Sequence, residues 1–151
     1  MIKIICLGKI KESYLNEAIK EYEKRISKYS QLQIIELEDC GLDDKKVILK
    51  KEEEKILKVL NPKDYIITLE IEGKELTSLE FSKKLEETFI QNNNITFIIG
   101  GSYGLSDSIK ELSNYKLSFS KMTFPHQLFR VILLEQIYRS FKIMNNEEYH
   151  K

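Results

Sequence analysis

Apolar positions along this chain alternate between two rhythms: short, nearly unbroken runs, and longer stretches where they recur every three or four residues. Ile2–Leu7 is such a run, closed by Gly8, the pattern of a strand buried on both faces. Ile95–Ile99 repeats the signature, and Leu32–Leu37, with Ile34 and Ile35 at its centre, and residues 65–69 read as further strands. Between them the period lengthens. Residues 14–29 put Leu15, Ala18, Ile19, Tyr22, Ile26 and Tyr29 on one helical stripe. Residues 45–60 carry Val47, Ile48, Ile56, Leu57 and Leu60 amid dense lysine and glutamate, and Asn61-Pro62 stops them. Residues 78–90 predict a third helix, with Leu79, Phe81, Leu85 and Phe89 facing inward and Ser78 as its cap. A short helix over 106–112, a brief strand over 116–119 and a long helix over 127–143 complete the series. Two connections stand out: a loop over 39–44 able to cap the helix after it, and a turn over 70–74 around Gly73.

Strict strand–helix alternation predicts an α/β fold, with a mainly parallel central sheet flanked by helices. The chain reads as one domain over 1–151, with no internal repeat, low-complexity segment or linker. Sheets of this kind hold ligands at the carboxyl ends of their strands. Three loops therefore matter: the one after Leu69, residues 100–104 and residues 119–124.

Composition narrows the partners. Lysine plus arginine and aspartate plus glutamate number 24 each, so no charge surplus marks a non-specific nucleic-acid binder, and any RNA contact needs a local patch. Cys6 and Cys40 are too few for a disulfide framework and have no metal-type neighbours, and Cys6 lies in a strand-like run where a buried reduced thiol is expected. No metal site is expected. The first residues do not form a signal peptide and no apolar run reaches membrane-spanning length, so a cytoplasmic protein without a membrane partner is expected.

Candidate chemistry gathers late in the chain. Gly100-Gly101-Ser102-Tyr103-Gly104 follows a buried strand; a tight turn and a ligand loop both fit it, and its spacing is neither the dinucleotide fingerprint nor a phosphate loop. His126 follows Pro125 at a helix start, where the dipole favours a neutral imidazole. It could fix the loop or touch a ligand. The helix over 127–143 is apolar nearly all round: Leu128, Val131, Leu134, Tyr138 and Phe141 form one stripe, and Phe129, Ile132, Leu133 and Ile137 cover much of the rest. A second apolar face in so small a domain points to a homodimer. Arg130 and Arg139 are candidates for phosphate contacts or interfacial ion pairs. The tail over 144–151 has the composition of a frayed end, although Tyr149 and His150 can stack on a nucleobase and hydrogen-bond to it.

Taken together, residues 67–74 (ITLEIEGK), 97–106 (FIIGGSYGLS), 117–139 (LSFSKMTFPHQLFRVILLEQIYR) and the closing Tyr-His-Lys resemble the ribosomal RNA large subunit methyltransferase H family of the SPOUT class. The likeness runs from the first strand to the last residue. The Ser-x-Met-Thr-x-Pro-His block followed by Arg-x-x-Leu-x-Glu-Gln-x-Tyr-Arg is its most specific part. The resemblance implies S-adenosylmethionine as methyl donor and an N3-methylated pseudouridine as product, in 23S rRNA of the assembled 70S ribosome, within the stem-loop that reaches the decoding centre. It also implies a C-terminal trefoil knot and a homodimer. By motif, the cofactor contacts would be Leu69, Gly100, Phe119, Ser120, Lys121, Met122, Thr123 and Phe124. Tyr149 and His150 would be the catalytic candidates, and His126, Arg139 and Lys151 would meet substrate. The tail departs from the family's pattern at Glu148, where proline is expected, which predicts a less stiff tail. Alternatives from other classes are a non-catalytic ribosome-binding module and a nucleotide-binding, flavodoxin-like protein.

Overall fold

The computed structural model describes residues 1–41 and 44–151. The expected loop over 39–44 therefore includes Leu42 and Asp43, which lie outside the described residues. Five strands and five helices alternate among the described residues: β1 (Ile2–Leu7), α1 (Ser13–Ile26), β2 (Leu32–Leu37), α2 (Lys45–Val59), β3 (Tyr65–Glu75), α3 (Ser78–Gln91), β4 (Ile95–Ile99), α4 (Asp107–Leu112), β5 (Tyr115–Ser118) and α5 (His126–Met144). Every strand pair is parallel, in the order β2-β1-β4-β3-β5. The sheet runs Ile2 opposite both Leu32 and Ile95, and Tyr65 opposite Ile95.

The inner strands β1 and β4 read as nearly unbroken apolar runs because both faces are covered, whereas the edge strands β2 and β5 keep exposed polar residues. Ile2, Ile4, Cys6, Ile95, Phe97 and Ile99 point to one side, where Ile19 and Ile26 of α1, Phe81 and Leu85 of α3, and Leu133, Leu134 and Ile137 of α5 meet them. Ile5, Leu7, Ile66 and Ile98 point to the other side, toward Ile56 of α2 and Ile109 of α4. This two-residue alternation places α1, α3 and α5 on one face and α2 and α4 on the other. The Cys6 thiol is buried and free, and burial pushes its pKa up to about 11. Among the described residues no helix is long and apolar enough to cross a membrane.

Several local expectations are corrected. The first helix ends at Ile26, and Tyr29 falls in the turn after it, its N–H donating to the Ile26 carbonyl at 2.8 Å. Residues 70–74 do not end the third strand: β3 continues to Glu75, and Leu69 and Lys74 both register with Leu117, so the intervening residues bulge from the ladder. The backbone of Gly73 presses on β5, where a Cβ would stand 2.8 Å from Lys116 and Leu117 main-chain atoms. Thr77, not Ser78, caps α3: its side chain accepts from the Glu80 N–H at 3.1 Å and the Glu80 carboxylate returns a bond to the Thr77 N–H at 2.9 Å. Ser78 is then free to donate to Gln136 of α5 at 2.7 Å. Leu79, expected inside, is 56% exposed. On α2, Val47 and Leu57 are exposed, whereas Glu52 and Glu53 are buried beside Ile48 and Ile56.

Candidate functional site

The carboxyl edge of the sheet is where β3, β4 and β5 release their loops, and a cavity of about 190 Å³ opens there. After β4 the chain turns on Gly100 and Gly101, with Gly101 bridging to Gly104 and the Gly104 N–H donating to the Gly101 carbonyl at 3.1 Å. A Cβ on Gly100 would lie 2.5 Å from the Gly104 backbone, so only glycine lets the turn close. After β5, the Ser118 hydroxyl donates to the Ser120 carbonyl at 3.1 Å, and Ser120 Oγ accepts from the Met122 N–H at 2.9 Å. These bonds curl the loop back over the cavity. Phe119 is anchored edge-on against Phe129 at 5.0 Å and against Phe81 at 6.1 Å, and Phe124 stacks on Phe129 at 6.0 Å.

Of the residues singled out in the sequence, Leu69, Gly100, Phe119, Ser120, Met122, Thr123, Phe124 and His126 line this cavity. Lys121 does not; its side chain is exposed beside the loop. The wall also takes Gly101, Ser102 and Gly104 of the glycine loop, together with Glu70, Ile71, Ile99, Leu117, Ser118 and Phe129, which were not expected as cofactor contacts. Ile71 and Glu70 enter because β3 bulges after Leu69, and Phe129 because α5 starts beneath the loop. The alternating apolar positions of the strand ends carried that signal for Ile99 and Leu117.

Apolar side chains floor the cavity, and backbone and hydroxyl groups of two turns rim it. Such a chamber fits a ligand with a flat ring and a polar extension. His126 stands at its edge, half-buried. Burial and the neighbouring Arg130 guanidinium push its pKa down, leaving the imidazole neutral near pH 7.

Arg130 is not a free phosphate contact. Its side chain is 1% exposed, donates to Glu36 at 2.7 Å and to the Leu7 carbonyl at 2.9 Å, and also donates to the Gly8 carbonyl. It ties α5 to the ends of β1 and β2. Gly8, at φ +89°, turns the chain beneath this arginine: a Cβ there would sit 3.5 Å from Asp39 and 3.6 Å from His126 Nε2.

The tail is docked rather than frayed. Glu147 accepts from Lys142 and from the Tyr29 hydroxyl, each at 2.8 Å, and these bonds hold its carboxyl below the usual range. Tyr149 packs edge-on against Tyr138 at 5.0 Å under the Arg139 guanidinium at 4.7 Å. Arg139 also pairs with Glu135 and meets His150 Nδ1 at 3.1 Å. Arginine has only donors, so that ring nitrogen accepts. Glu148 and Lys151 are exposed. None of these tail groups lines the cavity; Arg139 lies thirteen positions along α5 from His126, about 20 Å at helical rise. Among the described residues there is no group of three metal-type side chains.

Residues 1–150 match a family model described as predicted SPOUT methyltransferase. A Clostridium acetobutylicum protein named ribosomal RNA large subunit methyltransferase H is 49% identical over 157 aligned positions, covering 99% of both chains. A protein of the same name from Clostridium botulinum strain Alaska E43 is 52% identical with the same coverage. A Methanococcus maripaludis protein provisionally given that name reaches 59%, again over 99% of each chain. Among solved structures, a probable methylase family protein from Haemophilus influenzae Rd KW20 superposes with a TM-score of 0.61 at 14% identity, covering 99% of this chain and 70% of that one, which speaks to the fold.

Proposed function

Because the chain belongs to the SPOUT methyltransferase family, we propose that it uses S-adenosylmethionine to methylate N3 of a pseudouridine in 23S rRNA of the assembled ribosome. The observation that carries this reading is the cavity at the carboxyl edge, built from the three loops on which the methyltransferase motifs lie. It fits the donor. The glycine turn leaves room for a ligand against the backbone, the floor suits an adenine ring, and loop hydroxyls and carbonyls suit the polar remainder. Held by Leu69, Gly100 and the loop over 119–124, S-adenosylmethionine would supply an electrophilic methyl, its carbon–sulfur bond exchanged for a bond to N3, with the N3 proton passing to a base and S-adenosylhomocysteine left behind.

The chain's own part is to hold two partners in line and to take away a proton. Leu69, Gly100 and the loop of Phe119, Ser120, Met122, Thr123 and Phe124 position the donor and exclude water. Lys121, outside the cavity wall, is left for the RNA side. His126, held neutral, hydrogen-bonds at the cavity edge without opposing a cationic donor. Tyr149 and His150 present a hydroxyl and an imidazole for the acceptor base, while Arg139 and Lys151 face phosphate. Because the tail lies about 20 Å from its own cavity along α5, it serves the cavity of a partner subunit. The homodimer forms through the outward side of α3, the loop before α5 and the start of α5, where Leu79, Met122 and Leu128 are exposed; Leu133 and Ile137, expected on the partner-facing side, are buried in the chain's own core. A trefoil path of the C-terminal segment belongs to the same reading. With no net charge the protein suits a structured ribosomal surface, in the cytoplasm, better than bare RNA.

Calorimetry with S-adenosylmethionine should give one site per chain. Mass spectrometry of 23S rRNA from a deletion strain should lack one methyl on a pseudouridine, regained on complementation. Absence of donor binding would return the chain to a non-catalytic ribosome-binding or nucleotide-binding module.

A further inference from the structure

A second cavity, of about 230 Å³, lies next to the first at the carboxyl ends of β1 and β2. Gly101, Ser102 and His126 belong to the walls of both. Glu52 reaches it from α2, the helix that plays no part in the donor cavity. The residue is 4% exposed, and its Oε1 has no hydrogen-bond partner among the described residues. A Cβ on Gly101 would stand 3.1 Å from Oε2 and 3.3 Å from Oε1, so the carboxyl lies directly against the glycine turn. Burial raises its pKa, the negative charge of Asp39 adds to the rise, and Lys55 and the Cys40 N–H offset it only in part. Lys55 donates instead to the Glu38 carbonyl at 2.9 Å.

The next residue shows what a satisfied buried acid looks like here. Glu53 accepts from Lys50 at 2.9 Å and from Ser106 at 2.8 Å. Glu52 has an open oxygen, and a buried acceptor without a donor weakens the fold. Packing gives no reason for it; a ligand that brings the donor does. An anion is excluded by Asp39 and Glu52 together. A resident metal lacks ligands, since no group of three metal-type side chains exists among the described residues. A nucleobase answers all the features. Pockets that accept a base read its hydrogen-bonding edge and stack its face. A uracil-type ring offers ring N–H groups to an ionised carboxylate and carbonyls to a protonated one. Tyr103, 48% exposed at the mouth, presents an aromatic face. Gly41 and Gly101 leave parts of the wall without side chains.

We propose that this cavity receives the uracil-type acceptor base of the RNA, hydrogen-bonded to Glu52 and stacked on Tyr103, with its edge turned across the shared glycine wall toward the methyl donor. The assignment rests on the methyltransferase reading above and adds the residue that grips the base. Glu52→Gln keeps shape and removes the acid. Three quantities test it: donor affinity by calorimetry, thermal midpoint, and methyl transfer to 70S ribosomes lacking the modification. Expected are unchanged donor affinity, a midpoint no lower than the parent's, and kcat/KM for ribosomes reduced at least about tenfold. Tyr103→Ala, on an exposed side chain, should raise KM for ribosomes with donor affinity intact, and it carries the test if Glu52→Gln does not fold. Parent-like turnover in either folded variant overturns the proposal. So does loss of donor affinity in Glu52→Gln, which would assign the carboxyl to the donor's ammonium instead. Failure of the parent protein to bind the donor would strike the methyltransferase reading itself, a separable result.

Discussion

Asp64, at the head of β3, shows how a buried acid is kept for stability. Lys3 and Thr96 each donate to its Oδ2 at 2.9 Å. Burial, the largest single influence, would raise its pKa, but the bonds from Lys3 and Thr96, the positive charge of Lys3 and a bond with Asn94 together outweigh it and leave the carboxyl below the usual 3.8. A lowered folded-state value stabilises the protein above the ordinary pKa, and that contribution is lost as pH falls below 3.8. Asp64→Ala should therefore cost roughly 2 kcal/mol at pH 7 by urea denaturation, with the gap to the parent closing under acid; a gap independent of pH would contradict the linkage. Glu52 has the opposite sign: its raised value means that ionisation works against the fold as pH rises. The two acids differ in the donors around them, which no sequence pattern reveals. What was legible residue by residue was Cys6, because a thiol inside an apolar strand has nowhere else to go. Arg130 was misread since a lone arginine in an apolar helix gives no sign that main-chain carbonyls await it.

Elements were legible where burial is complete. β1 and β4 match their expected bounds because a strand covered on both faces is a nearly pure apolar run, and the edge strand β2, only half-buried, still matches on its Ile34-Ile35 centre. α2 was harder, for its inner face includes two glutamates that look solvated, and β3 was cut short because its bulge around Gly73 mimics a turn. The glycine turn after β4 was ambiguous in sequence; the 2.5 Å approach of Gly100 to Gly104 decides it. Gly100→Ala should push that turn apart, lowering stability by about 1–3 kcal/mol. Because the same turn walls the cavity proposed for the donor, affinity for S-adenosylmethionine should fall at least about tenfold. Calorimetry and thermal melts on one sample would separate the two effects, and donor affinity equal to the parent's would remove Gly100 from the site.

At the scale of the whole molecule, α5 sets the proposed donor cavity and the tail at its two ends, about 20 Å apart. If the tail acts across a dimer, a chain lacking residues 149–151 and a Gly100→Ala chain should each methylate poorly alone when S-adenosylmethionine is limiting. Coexpressed, they should recover about a quarter of parental methylation, since random pairing makes half the dimers mixed and each mixed dimer holds one complete site. A mixture that stays silent would place the tail's action within one chain. The fold class was visible in the alternating pattern; the docking of the tail was not, because it depends on Tyr29, Tyr138 and Lys142 meeting far along the chain. Arg130 bears on the protein's own birth. The carbonyls of Leu7 and Gly8 and the Glu36 carboxylate are translated early, yet the guanidinium that satisfies them comes from residue 130 of 151. A nascent chain thus holds its first strands with an open edge until the last helix clears the exit tunnel. The carboxyl end of β1 is closed only once α5 has formed, so a chain short of that helix lacks both the Arg130 tie and part of the cavity wall.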